Sequence, residues 1–331
     1  MPRDSLAHPR LASLVLGFCA VFATGLAAQK ADSSVASAPA PKVTIKPSGY
    51  LQARVTYTDG VGASFTINRA RLALAGTVGS EFSWKVSAEF RIGNSGYAQA
   101  SVALQDAFVR WHHDAVGIQM GQFKTPFSRE YLITLADLET VDRSLAVFSI
   151  APKRDIGVMA DYAFGRTATV QAGVFNGESY NVITNKDSTL LGVARLVVNP
   201  LTHLSLGANI AENFGDSTRY GGDIQYQTAR VTLRAEYLGG IRDSAATGTE
   251  WGGYVLAAYT TSPKLQVVGK WQDYQDQALP KVGATWGWTA AANWFPLGSP
   301  LIRLTPTFFY GRAGNPADYQ WIALFQVQAR F

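Results

Sequence analysis

The sequence predicts an all-β protein, a transmembrane antiparallel up-and-down β-barrel of sixteen strands with one long connection. Three features predict it: apolar and polar residues that alternate strictly, connections that alternate in length, and a last segment that ends on an aromatic residue. Alternation with a period of two indicates a strand, because successive side chains of a strand point to opposite faces. A barrel in lipid needs one apolar and one polar face, and its closure leaves no open edge.

The alternation is clearest in residues 82–91, where apolar residues alternate with Ser, Lys, Ser, Glu and Arg. Residues 51–57, 231–238 and 265–274 repeat this pattern. Residues 321–331 place Trp, Ala, Phe, Val, Ala and Phe on one parity and Gln, Gln and Arg on the other. Each of these strands is expected to turn its apolar side to lipid and its polar side to the lumen.

The connections between the predicted strands alternate between long and short. Longer polar connections are expected near residues 58–64, 92–101, 125–153, 176–187, 212–219, 239–250, 273–284 and 311–320. Tight turns are expected at residues 76–80, 113–114, 165–166, 199–202, 227–230, 261–264 and 296–300. Outer-membrane barrels have short periplasmic turns and longer external loops, so an even number of strands places both termini in the periplasm.

The beginning of the chain predicts export. Residues 1–27 are expected to be a secretory signal peptide, because two arginines precede an apolar run and small residues follow it. Residues 28–45 form a lead-in that contains prolines and is expected to be disordered, so the barrel is expected to span residues 46–331. The only cysteine, Cys19, lies in the predicted signal, and the rest of the chain therefore has no thiol chemistry.

Charge and composition exclude several classes of protein. The 29 basic and 24 acidic residues give a net charge of +5, or about +4 without the predicted signal, and they form no basic stripe typical of nucleic-acid binding. No apolar stretch after residue 28 reaches the ~20 residues of a membrane helix. No P-loop or dinucleotide motif is present, and His112 and His113 would face opposite ways on a strand, so no cofactor and no metal are expected.

Several segments resemble the phosphate-selective porin O/P family. The most specific is Gly-Gln-Phe-Lys-Thr-Pro-Phe-Ser-Arg-Glu at residues 121–130, which is similar to the strand end that opens the long inward-folded loop of that family. Shorter similar segments are residues 69–76, 105–109, 142–144, 154–158, 175–177 and 199–200. The resemblance implies a sixteen-stranded barrel, generally trimeric, that conducts anions across the bacterial outer membrane. Expected partners are outer-membrane lipid, small anions such as phosphate, further copies of the chain in a homotrimer, and the barrel-assembly machinery at Phe331.

The longest predicted connection, residues 125–153, contains many apolar residues and is expected to fold into the lumen. There Lys124 and Arg129 would supply positive charge at a constriction, and Ser128 would supply a hydroxyl donor. Rings of arginine and lysine favour anions, and a guanidinium donates two parallel hydrogen bonds to phosphate. Further predicted pore-lining and anion-binding residues on the inward parity are Arg54, Arg69, Arg71, Lys85, Arg110, Arg195 and Arg234.

Three alternatives concern the lumen and its residues, and a fourth is an adhesion or structural barrel with a plugged lumen. In the first, the inward cations pair with carboxylates and only hold the wall together, the candidate partners being Glu89, Asp106, Asp161 and Glu236. In the second, the barrel is a general porin with little selectivity. In the third, His203 and Ser205, a base and a hydroxyl on the same strand face, serve an outer-membrane phospholipase. The preferred interpretation is a porin without enzymatic activity.

Overall fold

The computed structural model describes residues 41–91, 101–242, 248–277, 285–312 and 319–331. Its strands are β1 (Val43–Thr58), β2 (Gly62–Val78), β3 (Phe82–Arg91), β4 (Ser101–His113), β5 (Val116–Lys124), β6 (Arg154–Phe164), β7 (Ala168–Phe175), β8 (Leu191–Leu201), β9 (Leu204–Asn213), β10 (Ser217–Gln227), β11 (Val231–Arg242), β12 (Gly248–Ser262), β13 (Leu265–Asp276), β14 (Thr285–Trp294), β15 (Ile302–Arg312) and β16 (Tyr319–Arg330). Two short helices, α1 (Arg129–Leu132) and α2 (Leu145–Ile150), lie between β5 and β6. Neither helix has the length or apolar character needed to cross a membrane.

The sixteen strands close into one antiparallel barrel, as predicted. Each strand pairs with its neighbours in the sequence, and β1 closes the barrel by pairing with β16 from Tyr50 opposite Arg330 to Thr58 opposite Ile322. Strand β1 begins at Val43, so its first residues belong to the segment predicted as lead-in. The predicted signal peptide and the rest of the lead-in lie outside the described residues.

The wall has the predicted apolar exterior. On β11, Leu233 is exposed, whereas Arg234 is buried inside. On β16, Phe325 is exposed, whereas Gln326 is fully buried. Large apolar side chains that alternate with buried polar ones along the strands form an outer surface suited to lipid and a lumen lined with polar groups.

Part of the lumen is apolar, which the predicted alternation did not include. Leu238 of β11, Leu256 of β12 and Val268 of β13 are buried in one cluster with Val147 and Ile150 of α2. The helix α2 packs against these three strands. Burying the apolar face of α2 away from water favours this arrangement. The inner wall is therefore apolar where it contacts α2, although the alternation predicts polar residues there.

The two ends of the barrel differ in their connections. At one end, called here the turn end, the connections are residues 79–81, 114–115, 165–167, 202–203, 228–230, 263–264 and 295–301, which agree with the predicted short turns. At the other, called the loop end, residues 125–153 and 176–190 form long connections. Two predicted long connections are wrong, because residues 59–61 and 214–216 are tight turns in which Gly60 and Gly215 have positive φ. Polar strand ends resemble loops in the sequence.

Candidate functional site

The connection of residues 125–153 folds into the lumen and attaches to the wall opposite β5, which confirms the predicted inward loop. Its partners are polar side chains on the inner face of strands from β9 to β16. Four of these hydrogen bonds are Ser128 N to Asn209 Oδ1 at 3.2 Å, Asn293 Nδ2 to Glu139 O at 2.8 Å, Arg303 Nη1 to Leu138 O at 2.7 Å and Gln328 Nε2 to Ala136 O at 3.2 Å. Polar side chains on the inner face of the wall therefore hold the loop in place.

The helix α1 opens the loop, and its N-terminus lies on a buried carboxylate. Glu236 accepts hydrogen bonds from the backbone N–H groups of Arg129 at 3.0 Å and Glu130 at 3.2 Å. The Ser128 hydroxyl accepts from Tyr131 N at 3.1 Å and caps the helix, which satisfies another N–H group that α1 leaves free. Ser128 is fully buried, so the structure does not place its hydroxyl at the pore, contrary to the prediction.

The side chain of Arg129 belongs to the same anchor. Its Nε donates to Asp223 Oδ1 at 2.5 Å, and its Nη2 donates to the Ser205 hydroxyl at 2.9 Å. Arg195 donates to the other oxygen of Asp223 at 2.6 Å and is itself buried. The structure thus uses Arg129 and Arg195, both predicted to line the pore, in a carboxylate-bridged network that fixes α1 to β8, β9 and β10.

The residues of the phospholipase alternative have other partners. Ser205 accepts a hydrogen bond from Arg129, and His203 lies in the β8–β9 turn with its ring edge-on to Tyr226. Within the described part of the chain, no hydrogen bond joins Ser205 to a histidine, and no group of three or more side chains could hold a metal ion. This pair therefore lacks the contact that nucleophilic catalysis needs.

A second anchor fixes the middle of the loop. Arg234 forms two hydrogen bonds with Glu139, at 3.0 and 2.9 Å, and the side chain of Arg234 is only 3% exposed. Lys270 donates to the Thr140 hydroxyl and to the carbonyl oxygen of Asp142, each at 3.2 Å. Arg234 was predicted to line the pore, but it connects β11 to the loop instead.

Lys124 and Arg143 hold the end of α1. Lys124 Nζ donates to Leu132 O at 2.8 Å and to Ile133 O at 3.0 Å, and Arg143 Nη2 donates to Tyr131 O and Ile133 O, both at 2.9 Å. The last carbonyls of a helix have no partner within it and carry partial negative charge, so they attract cations. Lys124, predicted to be a constriction charge, thus closes the base of the loop.

Two large cavities lie beside the loop in the part of the chain that the structure describes. One, of about 620 Å³, lies toward the turn end and is called the turn-side cavity. The other, of about 550 Å³, lies toward the loop end and is called the loop-side cavity. Strands β2, β3, β4 and β6 contribute residues to both. Arg71 and Arg154 line both cavities and therefore lie between them.

Cationic side chains outnumber carboxylates in each cavity. The turn-side cavity is lined by five cations and two carboxylates, namely Arg71, Lys85, Lys124, Arg154 and Arg330 against Asp106 and Asp137. The loop-side cavity has the same balance, namely Arg69, Arg71, Arg143, Lys153 and Arg154 against Glu89 and Asp142. A lining with excess positive side-chain charge attracts anions and repels cations.

The two arginines that line both cavities are paired with carboxylates. Asp106 accepts from Arg154 Nε at 2.8 Å, and its other oxygen lies 2.9 Å from Lys85 Nζ. Arg71 forms an ion pair with Glu89. The alternative in which inward cations pair with wall carboxylates therefore describes Arg71 and Lys85 correctly. Arg154 was not among the predicted site residues, although it begins a segment that resembles the family.

Two further predicted residues bind a carboxylate of the loop. Arg54 lies 2.9 Å and Arg69 lies 3.5 Å from Asp142. Burial acts to raise the pKa of Asp142, but these two guanidinium groups outweigh it and hold the pKa below its usual value.

Arg110 forms a two-point ion pair with Asp161, at 2.6 and 2.9 Å, and lines neither cavity.

Arg143 and Lys153 differ from the other cations of the loop-side cavity. Among the residues that the structure describes, neither has a carboxylate within ion-pair distance; Arg143 donates to backbone carbonyls, and Lys153 donates to Phe148 O. Burial, reinforced by the nearby charge of Arg143, lowers the pKa of Lys153 to about 8. The site prediction missed both residues because a loop has no strand parity, and only the segment that resembles the family, residues 142–144, pointed to Arg143.

Comparison with known proteins agrees with this architecture. The model of the family "phosphate-selective porin O and P" matches residues 49–211. No curated protein matches the sequence significantly. The outer membrane channel DcaP of Acinetobacter baumannii has a TM-score of 0.66 at 13% identity, covering 87% of this chain and 97% of that chain.

Two further solved structures share the fold. An anion-selective porin from Comamonas acidovorans has a TM-score of 0.66 at 15% identity, over 88% of this chain and 100% of that chain. The trimer form of OmpT from Vibrio cholerae, folded in vitro, has a TM-score of 0.62 at 11% identity, over 87% of this chain and 99% of that chain.

Identities this low show a common fold and nothing more. The family match adds the sequence relationship, because it includes residues 121–130, the segment that opens the inward loop. The predicted resemblance is thereby confirmed, and the family and the fold indicate a channel rather than an enzyme. Over residues 49–211, this chain matches the phosphate-selective porin O and P family of outer-membrane porins.

Proposed function

We propose that the protein is a passive diffusion porin for small anions. The charge of the two cavities supports this function best, since five cations and two carboxylates line each of them and Arg71 and Arg154 line both. The field of a charged lining acts on every ion that crosses, so anions are concentrated along this path and cations are repelled.

The pairing of these cations suits rapid passage. An anion in the loop-side cavity meets Arg143 and Lys153, which no described carboxylate neutralises. It then passes Arg71 and Arg154, whose charges are shared with carboxylates, and reaches the turn-side cavity. Since a conducting site must also release its ion, several sites of moderate strength serve better than one tight site. Each anion moves down its own electrochemical gradient, without any further energy input.

We further propose that phosphate and polyphosphate are favoured among the anions. The family match and the predominance of arginine support this, because a planar guanidinium donates two parallel hydrogen bonds to a phosphate group. The second candidate is a general porin with low selectivity. The carboxylates Glu89, Asp106 and Asp142 favour it, because they neutralise several of the arginines.

Planar-bilayer recording of the purified protein tests these functions. In a KCl gradient, the reversal potential is expected to indicate anion selectivity. A reversal potential that indicates cation selectivity rejects the anion porin. Phosphate added to KCl is expected to reduce the chloride current more strongly than sulfate does. Equal effects of phosphate and sulfate identify the general porin. Arg71→Gln should weaken the phosphate effect, whereas Arg110→Gln, outside both cavities, serves as the matched control.

We also propose the assembly and orientation that the family implies: a homotrimer in outer-membrane lipid, with both termini in the periplasm and Phe331 recognised by the barrel-assembly machinery. The OmpT trimer form and the short connections at the turn end support this arrangement. Gel electrophoresis of unheated samples after chemical cross-linking tests the trimer. An epitope inserted in residues 176–190 should be accessible on intact cells, and an epitope placed in residues 228–230 should not.

A further inference from the structure

The loop-side cavity contains apolar surface that a path for inorganic ions does not require. Its apolar and aromatic lining residues are Tyr131, Leu135, Leu145, Phe148, Tyr180 and Phe309. Phe148 lies on α2 and is 65% exposed, whereas Val147 and Ile150 on the same helix are completely buried. A phenylalanine ring that is exposed to water in the lumen does not gain the stabilisation that burial provides. The ring of Phe148 is therefore available to contact a solute in the cavity.

Cations lie beside the aromatic rings of this cavity. Lys153 Nζ is 4.8 Å from the centroid of the Phe148 ring, and the Arg143 guanidinium carbon is 4.8 Å from the centroid of the Tyr131 ring. These are the two cations without a described carboxylate partner. The cavity therefore offers aromatic surface and uncompensated positive charge side by side.

We propose that the loop-side cavity selects organic anions that carry an aromatic ring on a carboxylate. The carboxylate would lie at Lys153 and Arg143, and the ring would lie against Phe148. A volume of about 550 Å³ is within the range of small-molecule sites. An inorganic anion gains electrostatic attraction and hydrogen bonds from these cations, whereas an aryl carboxylate also buries its ring. This inference rests on the proposed anion porin and names a class of solute for it.

The test compares benzoate with acetate, which has the same charged group without the ring. The full protein is recorded in planar bilayers in KCl, first for its reversal potential and then with each carboxylate added on one side. Benzoate is expected to reduce the chloride current at a concentration about tenfold lower than acetate, because burial of a ring contributes on the order of that factor. Equal potency of benzoate and acetate in an anion-selective channel overturns the inference and leaves the anion porin intact. A cation-selective reversal potential rejects the anion porin itself.

Substitution at Phe148 assigns the effect to this cavity. Phe148→Ala should lower the preference for benzoate over acetate about fivefold, a typical worth of one aromatic contact. The matched control is Phe214→Ala, since Phe214 is 53% exposed in the β9–β10 turn and lines neither cavity. An unchanged preference in Phe148→Ala overturns the inference. Lys153→Gln should weaken the block of the chloride current by benzoate and by acetate alike, because both anions bind to the charge of Lys153.

Discussion

Lys124 and Arg143 donate to the same carbonyl oxygen, that of Ile133, at 3.0 and 2.9 Å. Lys124 is the last residue of β5, and Arg143 lies ten residues beyond Ile133 along the loop. The carbonyl group of Ile133 therefore connects the barrel wall, the end of α1 and the later part of the loop. The unsatisfied carbonyls at the end of α1 make this possible, because they can hold two cations close together. The loop is thus fixed at its base as well as along the far wall.

Arg143 should contribute more to anion selectivity than an arginine that is paired and outside the cavities. A unit charge ~5 Å from a permeating ion contributes roughly 0.8 kcal/mol even at the dielectric constant of water. Arg143→Gln is therefore expected to lower the ratio of chloride to potassium permeability about two- to fourfold. Arg110→Gln, which disrupts the pair with Asp161, is the control and should change the ratio little. Equal effects of the two substitutions in reversal-potential measurements would contradict this assignment.

Anion selectivity should depend on pH through Lys153. Its pKa is lowered to about 8 by burial and by the nearby Arg143, so the ammonium group loses its proton as the pH rises from about 7 to about 9. The loop-side cavity then loses one positive charge, and the permeability ratio of chloride to potassium should fall. Reversal potentials at the two pH values measure this fall. Lys153→Arg, which stays charged, should remove the pH dependence; a wild-type ratio that is constant over this range would count against the assignment.

The ion pair between Arg234 and Glu139 should hold the loop against β11. Removing one partner of a buried pair typically costs about 3–5 kcal/mol, because the other charge is left without compensation. Arg234→Leu is expected to lower the thermal unfolding temperature and to raise single-channel conductance, since the middle of the loop loses its anchor. The double variant Arg234→Leu with Glu139→Leu should recover part of the stability. A double variant no more stable than the single one would show that this pair does not set the loop position.

Gly49 should be required for closing the barrel beside Phe331. A Cβ atom at Gly49 would lie 2.4 Å from Cζ of the Phe331 ring and 2.7 Å from the carbonyl oxygen of Arg71. Gly49→Val is therefore expected to reduce the fraction of heat-modifiable, folded protein in gels of unheated samples. Gly269→Ala is the control, because no atom lies within 4 Å of the corresponding Cβ. Normal folding of Gly49→Val would show that Phe331 can move aside without cost.

The sequence was sufficient to predict the number of strands, the polarity of the wall and the position of the inward loop. The alternation along β11 or β16 repeats every second residue, and this period follows from the geometry of a single strand. The two connections that were predicted wrongly, residues 59–61 and 214–216, show the limit of the pattern. Polar residues that face a lumen resemble the residues of a loop, so the end of a strand is harder to predict than the strand.

The local pattern also placed Arg234 and Arg195 on the inner face, but their roles depended on distant residues. Glu139 precedes Arg234 by 95 positions, and Asp223 follows Arg195 by 28. The path of the loop across the closed barrel decides which cations form an ion pair with a carboxylate. The same path leaves Arg143 and Lys153 without a described carboxylate partner. Periodicity acts over neighbouring residues, whereas an ion pair forms only between groups that closure of the whole barrel brings within a few ångströms.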